Sequence, residues 1–314
     1  MPDEGWHSVV EDSDTSPMQD THAYLRSLGL PPRDRENQTG SPHRFDDGAH
    51  YRVEIPSVEG PEAFETVLAA AAEYDVPVHR ISQGSGIMMQ TDAEVEQMIT
   101  LGREHGVEVS LFTGPRGAWD IGEQAATASG RVAAPALRGA DQLTFAIEDV
   151  RHGCELGLRS VLVADVGHLW VLGQMKRSGQ LPEDLVLKVS IQLPIANPAT
   201  ARLLEDLGAS TLNLPVDLSV TQIAAIREAV GIPLDLYIEG ADDFGAPVRY
   251  YEIPEIVRVA APVHLKFTVR NAPGLYPAGG HIRDLVLSSA RERVRRAAIG
   301  LGMLRRYYPE AKCS

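Results

Sequence analysis

Cysteine is nearly absent: Cys154 and Cys313 are the only two in 314 residues. Two thiols cannot form a disulfide framework, and no CxxC pair is present to seed a zinc or iron–sulfur site. Such usage fits a reducing compartment, so the expected location is cytoplasmic. Lysine is scarce as well. Of 29 basic residues only Lys176, Lys188, Lys266 and Lys312 are lysines, against 43 acidic residues and a net charge of −14. Neutralising phosphates takes clustered Lys and Arg, so neither nucleic acid nor an anionic membrane is an expected partner. No apolar run approaches the roughly 20 residues that span a bilayer. The acidic first residues also lack the basic and apolar regions of a signal peptide.

What is present is the composition of a globular protein, 44% apolar and 23% charged. Residues 1–48 are rich in Asp, Ser, Pro and Gly and read as a flexible N-terminal arm carrying one short amphipathic helix in "MQDTHAYLRSLGL". Residues 49–314 read as one domain. From Tyr51 strand-like runs alternate with helical ones: "YRVEIPS", "VPVHRIS", "VEVSLFT", "SVLVAD", "LVLKVSIQL", "STLNLPV", "PLDLYIEG" and "VHLKFTV". The clearest helices are predicted at 61–74, at 92–105 behind the capping box Thr91/Glu94, at 197–207, at 219–230 behind Ser219/Gln222, and at 281–306. Eight βα units make this an α/β chain with the expectation of a (β/α)8 TIM barrel. A doubly wound sheet would place a glycine-rich fingerprint after the first strand, which instead runs into "VEGPEAF".

Several strands are polar on one face only. Arg52 and Glu54 alternate with Val53 and Ile55, Lys188, Ser190 and Gln192 with Leu187, Val189 and Ile191, and Asp235, Tyr237 and Glu239 with Leu234, Leu236 and Ile238. The last strand does the same with His264, Lys266, Thr268 and Arg270. Side chains alternate across a sheet, so the apolar sets should meet the helices and the polar sets the barrel axis. Buried ionisable groups are costly unless they pair or bind something. A charged lumen is therefore either a ligand site or a self-paired network that fills space.

Residues 188–241 resemble the U32 peptidase family and its relatives, in which a strand ending Ser-x-Gln precedes an Asn loop, a helix ending Leu-Gly-Ala, a Leu-Ser helix start and a strand closing on Gly-Ala. The matching positions are Ser190, Gln192, Asn197, Leu207 to Ala209, Leu218, Ser219, Asp235, Tyr237, Gly240 and Ala241. The resemblance implies a TIM-like fold. The family's cysteines after Gly-Ala, which hold an iron–sulfur cluster in some relatives, have no counterpart: Asp243 falls where the first would stand. No iron–sulfur cluster is expected, so the resemblance does not by itself imply the chemistry of those relatives.

In such barrels the working residues come from strand C-termini and βα loops. The catalytic candidates are Glu239, Lys266, Glu54 and Asp165. The substrate-binding candidates are Arg270, Gln192, Asn213, Arg116, His168 and His281. Alternation in the second strand does not decide whether Arg80 or Gln83 faces inward. Lys266 has three readings: a Schiff-base amine, a fixed charge that holds a carboxylate or phosphate with Arg270, or an internal ion pair with Glu239. Gly279 and Gly280 before the last helix could present N–H groups to an anion. Glu54, Asp165, His168, Glu239, His264 and His281 hold enough donors for a divalent metal, although no HxH or HExxH spacing fixes a geometry. Isolated histidines such as His79, His105 and His152 read as surface or packed residues. The connection of about 28 residues after the third strand, with Arg116 and Trp119, has the length of a lid or of a helical insertion. "QGSGIMM" is a second candidate for a mobile loop.

These features predict an enzyme for a small polar, anionic metabolite, working by acid–base chemistry of hydrolase or lyase type, with a homo-oligomer as an open option. A noncatalytic scaffold with a self-paired lumen is the alternative, and an RNA- or peptide-modifying relative of U32 a third.

Overall fold

The computed structural model of the chain describes residues 18–34, 39–117, 123–242, 245 and 247–314. Eight strands, β1 Tyr51–Pro56, β2 Arg80–Gln83, β3 Glu108–Phe112, β4 Ser160–Val163, β5 Val186–Val189, β6 Thr211–Asn213, β7 Leu234–Glu239 and β8 Val263–Phe267, pair in parallel with their sequence neighbours, and β8 closes on β1. A helix follows each strand: α2 Pro61–Tyr74, α3 Asp92–His105, α4 Gly139–Glu155, α5 Val166–Arg177, α6 Pro198–Leu207, α7 Val220–Ala229, α8 Ile253–Ala260 and α9 Arg283–Tyr307. The short helix α1 Gln19–Ser27 precedes β1. This is the TIM barrel that the alternation of elements predicts.

Local chemistry places the helix starts. Thr91 Oγ1 accepts the Glu94 N–H at 3.3 Å while Glu94 Oε2 accepts the Thr91 N–H at 2.8 Å. Ser219 and Gln222 make the same reciprocal pair, and Asn197 Oδ1 caps α6 through the Thr200 N–H. The apolar strand residues Val53, Ile55, Leu187, Val189, Leu234, Leu236, Leu265 and Phe267 are buried in the layer shared with the helices. Helix α9 comes close to β8 because Gly300 has no side chain: a Cβ there would sit 2.5 Å from the Phe267 ring.

Two features depart from the expected pattern. Where a flexible arm is predicted over residues 1–48, residues from Gly40 onward pack across the barrel base. Ser41 donates to the Ala261 carbonyl at 2.5 Å, and Phe45 stands edge-on to His264 with ring centroids 5.1 Å apart. Arg52 lies over the outer face of Phe45 at 4.2 Å and pairs with Asp47, so it belongs to the base and not to the lumen. The second departure is a register shift in β7. Tyr237 pairs with Lys266 but Glu239 with Phe267, so the alternation breaks between Tyr237 and Glu239.

Candidate functional site

The inward residues of β1, β2, β5, β7 and β8 form one ionic network, every member of which is almost fully buried. Glu54 sits at its centre. Its Oε1 accepts from Ser82 Oγ at 2.7 Å and lies 3.0 Å from Lys266 Nζ; its Oε2 accepts from Lys188 Nζ and from Arg80 at 3.4 Å. Asp235 is the second hub, with Lys188 Nζ at 2.6 Å, Thr211 Oγ1 at 2.7 Å, His264 Nδ1 at 2.9 Å and Arg80 at 3.2 Å. Arg80 extends the network to Glu108 of β3 at 2.9 Å, whose side chain is partly exposed at the edge of the network. Burial pushes both central carboxyls up, but Lys188 with Lys266 at Glu54, and Lys188 with Arg80 at Asp235, outweigh it and hold both well below the usual carboxylate range. The Lys188 amine is pulled down to about 8, chiefly by burial and against the attraction of Asp235 and Glu54. His264, buried and facing Arg80, is lowered to about 4 and is neutral at pH 7.

Above this network, at the C-terminal ends of the strands, a narrow cleft of about 40 Å³ opens. Lys266, Tyr237, Asn213, Gln192, Arg116 and Tyr276 are among its lining residues. Lys266 Nζ lies 4.5 Å from the centre of the Tyr237 ring. The Tyr237 phenol is raised by burial and then by Glu54, and it hydrogen-bonds the Asn213 side chain, so at neutral pH it remains a proton donor. Gln192 Oε1 is buried in the wall with no protein partner. The rim is fixed by polar contacts. Glu59 accepts the Gly84 and Ser85 N–H groups at 2.7 and 3.1 Å, and Arg116 donates to the carbonyls of the same two residues at 2.7 and 2.9 Å. Ser85 Oγ accepts the Ala278 N–H at 2.8 Å, and the Tyr276 hydroxyl meets Ser57 Oγ. The glycine at 84 is required here, since a Cβ would lie 2.2 Å from the Tyr276 ring. "QGSGIMM" is thus a pinned loop in the structure and not a free one.

Of the sequence-predicted residues, Lys266, Gln192, Asn213 and Arg116 converge on the cleft, with Glu54 directly beneath. The others lie elsewhere. The β7 register shift turns Glu239 away from Lys266: it accepts the Tyr250 hydroxyl and the Arg270 N–H, the latter at 3.0 Å, and lies 3.7 Å from Arg296 of α9. The partner of Lys266 is therefore Glu54 on β1, its register neighbour, and not Glu239. Arg270 is directed to Asp242 at the rim, 2.9 Å away. Asp165 caps α5, accepting the His168 N–H at 2.9 Å and the Leu137 N–H at 3.2 Å. His168 is buried with Nε2 unpartnered and is lowered by burial to about 4, and His281 is exposed on the turn before α9. Arg80 is the inward residue of β2, whereas Gln83 folds onto Gly86. Trp119 and Asp243 lie outside the described residues. Among those described, the long connection holds two 3-10 turns, Glu123–Ala126 and Arg131–Ala133, and no group of three or more His, Cys, Asp and Glu is placed to hold a metal. Lys188 and Tyr237 are site residues that the strand pattern displays without assigning, the polar face of the fifth strand being the signal for Lys188; Tyr276 lies in the loop after β8, where no strand pattern marks it.

Residues 127–244, which carry β4 to β7, match the model of peptidase family U32. Among solved structures, the chain is similar to the YdjI aldolase of Escherichia coli K12, with 15% identity over 81% of this chain and 92% of that one and a TM-score of 0.49. It is similar to the U32 peptidase Mk0906, with 16% identity over 74% and 98% and a TM-score of 0.42. It is also similar to thiamine phosphate pyrophosphorylase from Pyrococcus furiosus, with 12% identity over 82% and 98% and a TM-score of 0.46. No curated protein matches the sequence significantly.

Proposed function

We propose that this divergent relative of the U32 peptidase family is an enzyme that binds a small polar, anionic metabolite at the barrel mouth and acts on it by acid–base chemistry of hydrolase or lyase type. One observation carries the reading: Lys266 belongs to the buried ionic network through Glu54 and at the same time lines the cleft. A ligand oxygen placed there meets a charged donor backed by a fixed carboxylate, with Tyr237, Asn213 and Gln192 in reach of its other polar atoms. Low local dielectric strengthens each of these interactions. Residues 49–314 would form the catalytic domain and the preceding segment its accessory. A cytoplasmic setting suits the sparse cysteines.

A thermal-shift screen of small carboxylates and phosphorylated metabolites tests this. A ligand should raise the melting temperature of the native chain and of Glu239→Gln, and fail to do so in Lys266→Met with the barrel folded by circular dichroism. Ligand binding that persists in Lys266→Met would refute the site. A noncatalytic scaffold is the second reading, and the observation that favours it is charge balance: Glu54, Asp235 and Glu108 against Arg80, Lys188 and Lys266.

A further inference from the structure

We infer that residues 276–280, between β8 and α9, are a gate over the cleft with Tyr276 as its latch, and that the structure holds this gate closed. The inference rests on the reading of the cleft as the binding site and adds how a ligand gains access to it. A space of about 40 Å³ admits roughly three water-sized groups, whereas sites that hold metabolites span about 300–1,000 Å³. A metabolite that meets Lys266, Gln192 and Asn213 together therefore needs a wider state of the same mouth.

Tyr276 is what narrows it. Its ring lies against Gly84, where a Cβ would come within 2.2 Å, and its hydroxyl meets Ser57 Oγ in the loop after β1. Two residues on, the Ala278 N–H donates to Ser85 Oγ at 2.8 Å, and Ser85 is in turn held by Glu59. The segment thus fastens to the loops after β1 and β2, across the mouth from Ser190, Gln192 and Asn213. Neither fastening is ionic: each is one neutral hydrogen bond, which water replaces at small cost. The near end is held by Leu275, buried in the core, whereas Tyr276 is 40% exposed and can turn out to solvent without crossing packed side chains. At the far end Gly279 and Gly280 lead into α9, with open space around Gly280. A few such terminal positions suffice to absorb the backbone rotation of a moving loop.

Thiol accessibility tests this without knowledge of the ligand. The full chain carrying Ser190→Cys, a near-isosteric change in the buried cleft wall, is alkylated with iodoacetamide. The introduced thiol is followed by peptide mass spectrometry beside Cys154 and Cys313, which lie outside the cleft and report loosening elsewhere. Its alkylation should be slow in this background. Adding Tyr276→Phe, which keeps the ring and drops the hydroxyl, should speed it about fivefold, the worth of one ordinary hydrogen bond, with Cys154 and Cys313 unchanged. Ser85→Ala, which frees the Ala278 N–H, should act in the same direction. A fixed plug would not respond to either change. Rapid alkylation with Tyr276 intact, a rate unmoved by both substitutions, or equal acceleration of all three thiols overturns the gate. Should Ser190→Cys fail to fold, hydrogen exchange at the Ala278 amide replaces it: exchange should be faster in Tyr276→Phe than in the native chain, and equal exchange overturns the gate. If the gate fails and a metabolite still raises the melting temperature of the native chain but not of Lys266→Met, the binding reading stands alone. If gating is seen and no ligand binds, that reading falls and the gate remains.

Discussion

Glu54→Gln is the sharpest perturbation of this barrel. The lumen holds three carboxylates and three cations with His264 neutral, so the substitution leaves one uncompensated positive charge where water is excluded. The amide keeps one acceptor oxygen but turns an NH2 donor toward either Lys266 and Ser82 or Lys188. Deleting one partner of a buried ion pair costs about 3–5 kcal/mol. Because two ammonium groups depend on this one carboxylate, the loss should fall near the top of that range, a large part of the roughly 5–15 kcal/mol that holds a typical domain folded. Urea unfolding followed by circular dichroism at neutral pH measures it. Glu54→Gln combined with Lys188→Met removes one charge of each sign and should recover about 2 kcal/mol, a coupling within the span seen for contacting residues. A loss below about 1 kcal/mol, the size of an ordinary substitution, or a double variant no more stable than Glu54→Gln, would refute the account of the lumen as a balanced network.

Further outcomes follow from the same contacts. His168 and His264 are held down to about 4 from 6.5, so below pH 6.5 the unfolded chain takes up protons that the folded chain refuses. Stability should fall as pH drops through that window, by up to about 1.4 kcal/mol per pH unit for each histidine, and His168→Leu should flatten the slope in urea titrations at successive pH values. Lys188, brought from 10.5 to about 8, gives the opposite limb: the folded chain releases its proton first, so stability should climb from about pH 8 toward 10.5. That climb should be missing in Lys188→Met. Gly84→Ala should dislodge Tyr276 from the rim and weaken ligand binding while leaving far-ultraviolet circular dichroism unchanged. Phe45→Ala should cost about 3 kcal/mol by opening a cavity under His264, measured by denaturant unfolding.

The barrel was legible because its signals are local. Thr91/Glu94 and Ser219/Gln222 announce helix starts within four residues, and strict alternation in β5 and β8 separates the helix-facing side from the lumen. The aim of Glu239 was not legible, because a register shift between Tyr237 and Glu239 leaves no mark in composition. The partner of Lys266 was misread for a related reason: Glu239 is nearer in sequence, whereas Glu54 is the register neighbour across the seam where β8 closes on β1. Lys188 reaches both carboxylates across the barrel axis, a contact that no pattern along one strand can encode. The packing of residues 40–50 was hidden by their polar composition, since Ser41 and Phe45 are buried by what they meet at Ala261 and His264.

Phe45 against His264 makes the barrel a vessel with a floor. Whatever enters the mouth meets the buried network and this floor beneath it, and must back out along the path by which it came. Entry and exit then compete for one doorway, so under the proposed function a product should inhibit by competition with its substrate.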